Sequence, residues 1–255
     1  MIKIEDIHID GWEAAIRGMR NPMNSWDKSD SVFYFEGHSH DINGNSAGSW
    51  YNVNSGNKNI DHVVIGKNDL DLMRRLSNAG SVHGKFLRMI NVTMDITAPL
   101  YWWKEFDTYK VGTVANSCST MHKITSKEFT FDDFSFEHLI GNRWSEADNY
   151  NNENSLPMNV LMHTIFALNE NRYLYLKAKE SGDEERAKLF WWQLIQLLPS
   201  SYNQKRTVQL NYQVLKEIYE YRKDHKLDEW KIFCEQITTL PYAKELILCE
   251  EARDD

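Results

Sequence analysis

The sequence predicts an α+β fold: a few strands early, a helix-rich C-terminal half, and one elaborated domain over residues 1–255. Three observations lead there. Ile90, Val92, Met94 and Ile96 alternate with Asn91, Thr93, Asp95 and Thr97, the period of a half-buried strand within 86–97. From residue 157 onward apolar positions recur at helical spacing, as in Leu210, Val214, Leu215, Ile218 and Tyr221. The chain has 255 residues, 42% hydrophobic and 26% charged, which is the balance of a globular protein and enough for a sizeable core.

Ile2, Ile4, Ile7 and Ile9 mark a first strand over residues 2–9. Ala14, Ala15, Ile16 and Met19 place a helix over 12–20. It stops at Asn21-Pro22, because the residue before proline avoids the α region. Residues 21–60 are rich in Asn, Ser, Gly and Asp without periodicity and read as a long loop, a length that points to a lid or a mobile segment. Asn68 or Asp69 caps a helix through Asn78, with Leu70, Met73 and Leu76 on one face and Gly80 at its end. Pro99 opens the next helix, filled by Leu100 to Phe106. Helices are then expected at 157–178, 183–197, 209–222, 228–237 and 242–250. The Asn-rich stretch 149–154 connects the strand-containing part, 1–150, to the helical part, 151–255.

Lys and Arg total 29 against 37 Asp and Glu, a net charge of −8. That argues against a nucleic-acid polymer as the main partner but leaves room for a cationic pocket that takes a single nucleotide. No run approaches the roughly 18 apolar residues of a membrane span. The start, MIKIEDIHIDGWE, carries acids where a signal peptide is basic. Cys118, Cys234 and Cys249 have no CxxC spacing and read as reduced thiols, so a cytoplasmic protein with no membrane attachment is expected. The nine Trp, twelve Tyr and eleven Phe gather in Phe33-Tyr34-Phe35, Tyr101-Trp102-Trp103 and Phe190-Trp191-Trp192. These clusters fit core or subunit-interface packing, with stacking on a flat ring ligand as the alternative.

His38-Ser39-His40-Asp41 has metal-ligating residue types but no third or fourth ligand at a standard spacing, so it reads as a solvated loop and no metal is expected. The phosphate-loop, dinucleotide, zincin and nucleophile-elbow motifs are absent. Cys118 and His122 stand four apart, with nothing else that marks a thiol nucleophile. The segment 108–122, TYKVGTVANSCSTMH, is small and polar. It offers Thr113, Asn116, Ser117 and Ser119 as hydrogen-bonding groups, with Lys104 and Lys110 as cations; a solvated loop is its other reading.

Taken in order, His83, the strand 92–96, Ala98-Pro99, the polar segment, Leu198-Pro199, Asn211 and Arg222 resemble the flavin-dependent thymidylate synthases, also called thymidylate synthase complementing proteins. Asn211 falls twelve residues after Pro199 and Arg222 eleven after that, the family's spacing without a gap. The resemblance covers most of 67–237. It implies a small twisted antiparallel sheet with flanking helices, a homo-oligomer of the tetrameric kind with active sites built across subunits, and FAD as cofactor. It also implies a pyrimidine nucleotide held without an enzymic nucleophile, with NADPH and a folate where the family reaction is kept. By position, Ser117, Ser119, Asn211 and Arg222 would orient the nucleotide, and His83, Arg88, Lys110 and Asn116 would face the flavin.

The sequence departs from the family pattern at several of its charged positions. The family's Arg-His-Arg becomes Thr108-Tyr109-Lys110, and its Glu-His becomes Arg88-Met89. Ser-x-Arg-Tyr becomes Cys118-Ser119-Thr120-Met121 or, shifted by one, Ser119-Thr120-Met121-His122; the second register keeps Asn116 and Ser119. The family's nucleotide-holding Arg before the Pro is Ile195, and the Arg after the Asn is Gln213. Arginine grips phosphate through a planar fork of donors, lysine supplies charge without the fork, and isoleucine donates nothing. Two readings therefore stay open. One is a divergent member that binds a pyrimidine nucleotide and FAD and, if active, is a flavin-dependent methyltransferase or oxidoreductase on a pyrimidine deoxynucleotide, with methylation of dUMP the step most weakened. The other is a non-catalytic relative that serves as a binding or assembly module.

Overall fold

The computed structural model describes residues 1–35, 38–49, 62–141 and 156–249. The connector 149–154 and part of 21–60 lie outside the described residues. In chain order the elements are β1 (Lys3–Asp10), α1 (Trp12–Arg20), β2 (Val32–Phe35), β3 (His38–His40), β4 (Ser46–Ser49), β5 (His62–Val64), α2 (Lys67–Asn78), β6 (Asn91–Pro99), α3 (Leu100–Phe106), β7 (Val114–Ser117), α4 (Thr120–Lys123), α5 (Pro157–Glu180), α6 (Glu184–Leu197), β8 (Asn203–Asn211), α7 (Tyr212–Arg222), α8 (Asp228–Thr238) and α9 (Ala243–Leu246). One four-stranded sheet has the order β1-β6-β8-β7, the other β4-β3-β2-β5. The chain divides into two compact units. The first comprises 1–3, 97–107 and 117–206; the second comprises 4–96, 108–116 and 207–255.

In the second unit, α1 buries Trp12, Ala15, Ile16 and Met19 along one stripe, as its spacing requires. Trp12 meets Tyr212 and Tyr242 edge-on, with ring centroids 5.3 and 5.5 Å apart. The stretch 21–60, read as a loop, instead carries β2, β3 and β4, which pair antiparallel with each other and with β5. Only Val32-Phe33-Tyr34-Phe35 offers an apolar run there, too short to show a period. The turn after β3 is closed by polar groups, with the Asp41 carboxylate accepting from the amides of Asn43 and Asn45 at 2.9 Å. Such side-chain-to-backbone bonds give a turn the composition of a loop.

Helix α2 begins at Lys67 and is not capped by Asn68 or Asp69. The Asp30 carboxylate caps it from outside, accepting from the amides of Asn68 (2.9 Å) and Asp69 (3.1 Å). That approach needs glycine at 66, where a Cβ would stand 2.2 Å from Asp30 Cγ. Asp69 is fully buried instead and holds Arg20. The 3-10 turn Gly84–Met89 takes residues 86–89 of the expected strand 86–97, so β6 starts at Asn91 and then alternates in burial. The expected helix 209–222 is strand up to Asn211 and helix from Tyr212. In polar Asn203–Asn211 only Thr207 to Leu210 alternates, too short a run to mark a strand, and pairing in the sheet makes it one. The expected helix 242–250 shrinks to α9, entered through left-handed backbone at Tyr242, and Cys249, three residues past its end, is left-handed too.

In the first unit, Trp102, Trp103 and Phe106 of α3 are buried against one another, which settles that aromatic cluster as packing. Helices α5 and α6 form the other centre, around Phe129, Phe134, Leu161, Ile165, Leu168 and Leu194. Asp183 caps α6 by accepting from the Arg186 amide at 3.0 Å. Trp191 packs on that core while Trp192 is 43% exposed. No helix among the described residues is long and apolar enough to cross a membrane.

Candidate functional site

The polar segment's first half, 108–116, and α7 belong to the same unit and are joined at two places. Asn211 caps α7 through its side-chain oxygen, which accepts from the Val214 amide at 3.1 Å. Gly112 faces that cap with φ of +75°, and a Cβ there would stand 2.9 Å from Asn211 Nδ2 and 3.3 Å from Val214 Cγ2. A glycine is thus required both for the left-handed backbone and for the close approach.

At the other end of α7, Arg222 Nε donates to the Tyr109 hydroxyl at 3.0 Å. Its guanidinium lies 4.8 Å from the Trp230 ring centroid and 5.7 Å from that of Tyr109, and the two rings meet edge-on at 6.1 Å. Ring faces attract a cation by about 0.5–2 kcal/mol while leaving it charged. Next to Gly112 in sequence, Thr113 Oγ1 is buried with no hydrogen-bond partner among the described residues. An orphaned hydroxyl costs on the order of 1–3 kcal/mol, so its position marks a place where a ligand or a water restores stability.

The eight residues singled out from the sequence separate by unit. Asn211 is buried in its capping role, Arg222 is half-buried, and Lys110 and Asn116 are exposed on the 108–116 segment. His83 and Arg88 are exposed at the 3-10 turn Gly84–Met89; among the described residues neither side chain has a hydrogen bond or ion pair to that segment. Ser117 and Ser119 belong to the first unit. Ser117 is exposed at the end of β7, and the Ser119 hydroxyl accepts from the His122 amide at 3.1 Å as the cap of α4. The structure therefore joins Asn211 to Gly112 and Arg222 to Tyr109.

Two of the positions where the family pattern has other arginines, 195 and 213, are turned to packing and to a bond within a helix. Ile195 lies against the α5–α6 core, and buried Gln213 donates to Glu217 Oε1 at 2.9 Å along its own helix. Sequence reasoning missed the partners of Arg222. Tyr109 was visible only as a departure from Arg-His-Arg, and Trp230 only as an apolar position of α8. His40 Nε2 stands 3.5 Å from Glu13 Oε2. Among the described residues no group of three or more His, Cys, Asp or Glu is placed to hold a metal.

Lys110 and Arg88 are exposed cations that no hydrogen bond or ion pair joins to each other or to Thr113 among the described residues. What this chain lacks at 108–110 is the forked pair of guanidinium groups.

Solved structures of the flavin-dependent thymidylate synthase ThyX from Helicobacter pylori, complexed with FAD and dUMP, are similar to this chain over nearly its whole length. One is 16% identical with a TM-score of 0.58, covering 98% of this chain and 100% of that chain. A second is also 16% identical with a TM-score of 0.58, covering 98% of this chain and 99% of that one. No family model matches the sequence, and no curated protein matches it. The likeness establishes the fold: this chain is a divergent, ThyX-like arrangement of helices around small antiparallel sheets.

Proposed function

We propose that the protein binds a pyrimidine nucleotide at the face formed by 108–116 and α7, takes FAD as its cofactor, and has moved away from the methylation of dUMP. The observation that carries this reading is Arg222 held on Trp230 and Tyr109, on the helix that Asn211 caps, within a fold whose solved relatives hold dUMP and FAD.

Arg222 presents a fixed positive charge to a phosphate or a ring carbonyl, and its stacking lowers the entropy lost when a ligand docks. Asn211 and Gly112 set the path of the segment, and the Thr113 hydroxyl is the donor without a protein partner. Lys110, Asn116, His83 and Arg88 would hold the flavin, which when bound supplies hydride and electron transfer. Ser117 and Ser119, the other nucleotide-orienting positions that the resemblance implies, belong to the first unit. Ile195 and Gln213 remove two guanidinium grips, which is why binding is favoured here over thymidylate formation, with its NADPH and folate.

We also propose a homo-oligomer, tetrameric in the manner of the family; Phe166 (67% exposed), Leu189 (54%) and Trp192 (43%) on α5 and α6 suit an interface. A second reading, a non-catalytic binding or assembly module, draws on the packing of Ile195 into the core.

The test is the visible spectrum of the purified full chain before and after excess FAD and desalting, followed by calorimetric titration with dUMP. A retained flavin band that dUMP perturbs is expected, with Arg222→Ala weakening dUMP about tenfold or more. A colourless protein with no dUMP heat overturns the proposal and leaves the module.

A further inference from the structure

Within the second unit, a pocket of about 450 Å³ is lined by Arg20, Lys28, Asn68, Asp71, Leu72 and Arg75. The last four stand at i, i+3, i+4 and i+7 along α2 and so share one face of that helix. The first two are the last residue of α1 and the end of the 3-10 turn Trp26–Lys28. Lys28, Asn68, Asp71 and Arg75 are exposed, so a ligand reaches the pocket from solution. The volume suits a small metabolite.

One side of the pocket is fixed before any ligand arrives. Arg20 is buried, and its Nε, Nη1 and Nη2 each donate once, to Asp69, Ser25 O and Lys28 O. A guanidinium has five N–H groups, so two remain without a partner among the described residues. The acids of this frame are already occupied. Asp69 also accepts from Ser29 and Ser31, and Asp30 accepts from the amides of Asn68 and Asp69. The other cations are open. Among the described residues the Lys28 ammonium makes no hydrogen bond or ion pair. Arg75 makes one long bond, from Nε to Asp71 O at 3.4 Å, which leaves both of its Nη groups. Fixed N–H donors beside two uncompensated cations form a grip for a phosphate.

The same wall also carries a carboxylate. The Asp71 side chain has no hydrogen bond or ion pair among the described residues, so it repels a bare dianion and calls for a hydroxyl donor. The Asn68 side chain offers a donor and an acceptor, and Leu72 an apolar contact for a carbon skeleton. We propose that this pocket binds the phosphate monoester of a small sugar, with the phosphate on Arg20, Lys28 and Arg75 and the hydroxyls on Asp71 and Asn68. The pocket shares no residue with the face formed by 108–116 and α7, and it does not rest on the nucleotide reading.

The test is calorimetric titration of the full chain at low ionic strength with ribose 5-phosphate, inorganic phosphate and ribose. Ribose 5-phosphate should bind about tenfold tighter than inorganic phosphate, and ribose should give no heat. Lys28→Met and Arg75→Met should each weaken ribose 5-phosphate about fivefold or more and leave the melting temperature unchanged, because both side chains are exposed. Asp71→Asn should tighten inorganic phosphate and weaken ribose 5-phosphate. Arg222→Ala should leave the ribose 5-phosphate affinity as it is. No heat with ribose 5-phosphate overturns the proposal, and so does an affinity no better than that of inorganic phosphate. Binding lost in Arg222→Ala but kept in Lys28→Met and Arg75→Met also overturns it, because the sugar phosphate then sits on the nucleotide face.

Discussion

Arg20 and Arg222 each close a helix of the same unit, α1 and α7, and differ in what receives their donors. Arg20 is 3% exposed: its Nε meets Asp69 Oδ1 at 2.6 Å, while its Nη atoms reach the carbonyls of Ser25 and Lys28 at 3.0 Å. Asp69 in turn accepts from the hydroxyls of Ser29 and Ser31 and the amides of Asp30 and Ser31. Arg222 is half-buried, bonded to a phenol and stacked on Trp230. Arg20 is locked in the interior to a carboxylate and peptide carbonyls, whereas Arg222 stands at a half-buried position with a phenol hydroxyl and two ring faces among its contacts.

The largest expected effect tests the first half of that contrast. Asp69→Ala strands a buried guanidinium and should cost about 3–5 kcal/mol in denaturant unfolding, with little change in nucleotide affinity once folded. Burial pushes the Asp69 carboxyl up, but the Ser29 and Ser31 hydroxyls and Arg20 outweigh it and hold it below the ordinary carboxylate range. The folded value lies below the unfolded one, so this stabilisation is present above about pH 4 and is lost as pH falls through the folded value. Acid unfolding should be flatter below about pH 4 in Asp69→Asn. A variant that melts as the parent does would make Arg20 no more structural than Arg222.

These two sites were unequally legible. Amphipathic α1 and the alternation of β6 announce themselves because burial imposes a period, and Arg222 and Asn211 are singled out by the order and spacing of the family resemblance. Asp69 looked like a helix cap because it stands where caps stand; its real partners come from residues 20–31, and no local pattern encodes a contact at that separation. The sheet β4-β3-β2-β5 was hidden for a related reason, since its strands are three or four residues long and its turns are polar. Tyr109 escaped because a tyrosine after a threonine has many uses, and only the fold puts Trp230 beside it.

Gly112→Ala is the intermediate case. The left-handed backbone costs an alanine about 1–2 kcal/mol, and its Cβ would press on the amide of Asn211. Thermal unfolding should report a loss of that size. Because the strain falls on the loop facing α7, dUMP affinity should drop severalfold as well. An unchanged affinity beside the stability loss would detach Asn211 from the ligand and class it with Arg20 as architecture.

The smallest change is the sharpest. Tyr109→Phe removes the acceptor of Arg222 Nε and keeps the ring, so stability should fall by about 0.5–1.5 kcal/mol. The Trp230 face remains 4.8 Å from the guanidinium in the parent geometry, and stacking alone should hold it in place. Calorimetric titration with dUMP should then show an affinity within about threefold of the parent, far short of the loss in Arg222→Ala. If Tyr109→Phe instead matches Arg222→Ala, the hydroxyl and not the ring stack positions the charge. Arg222 would then depend on a directed hydrogen bond as Arg20 does.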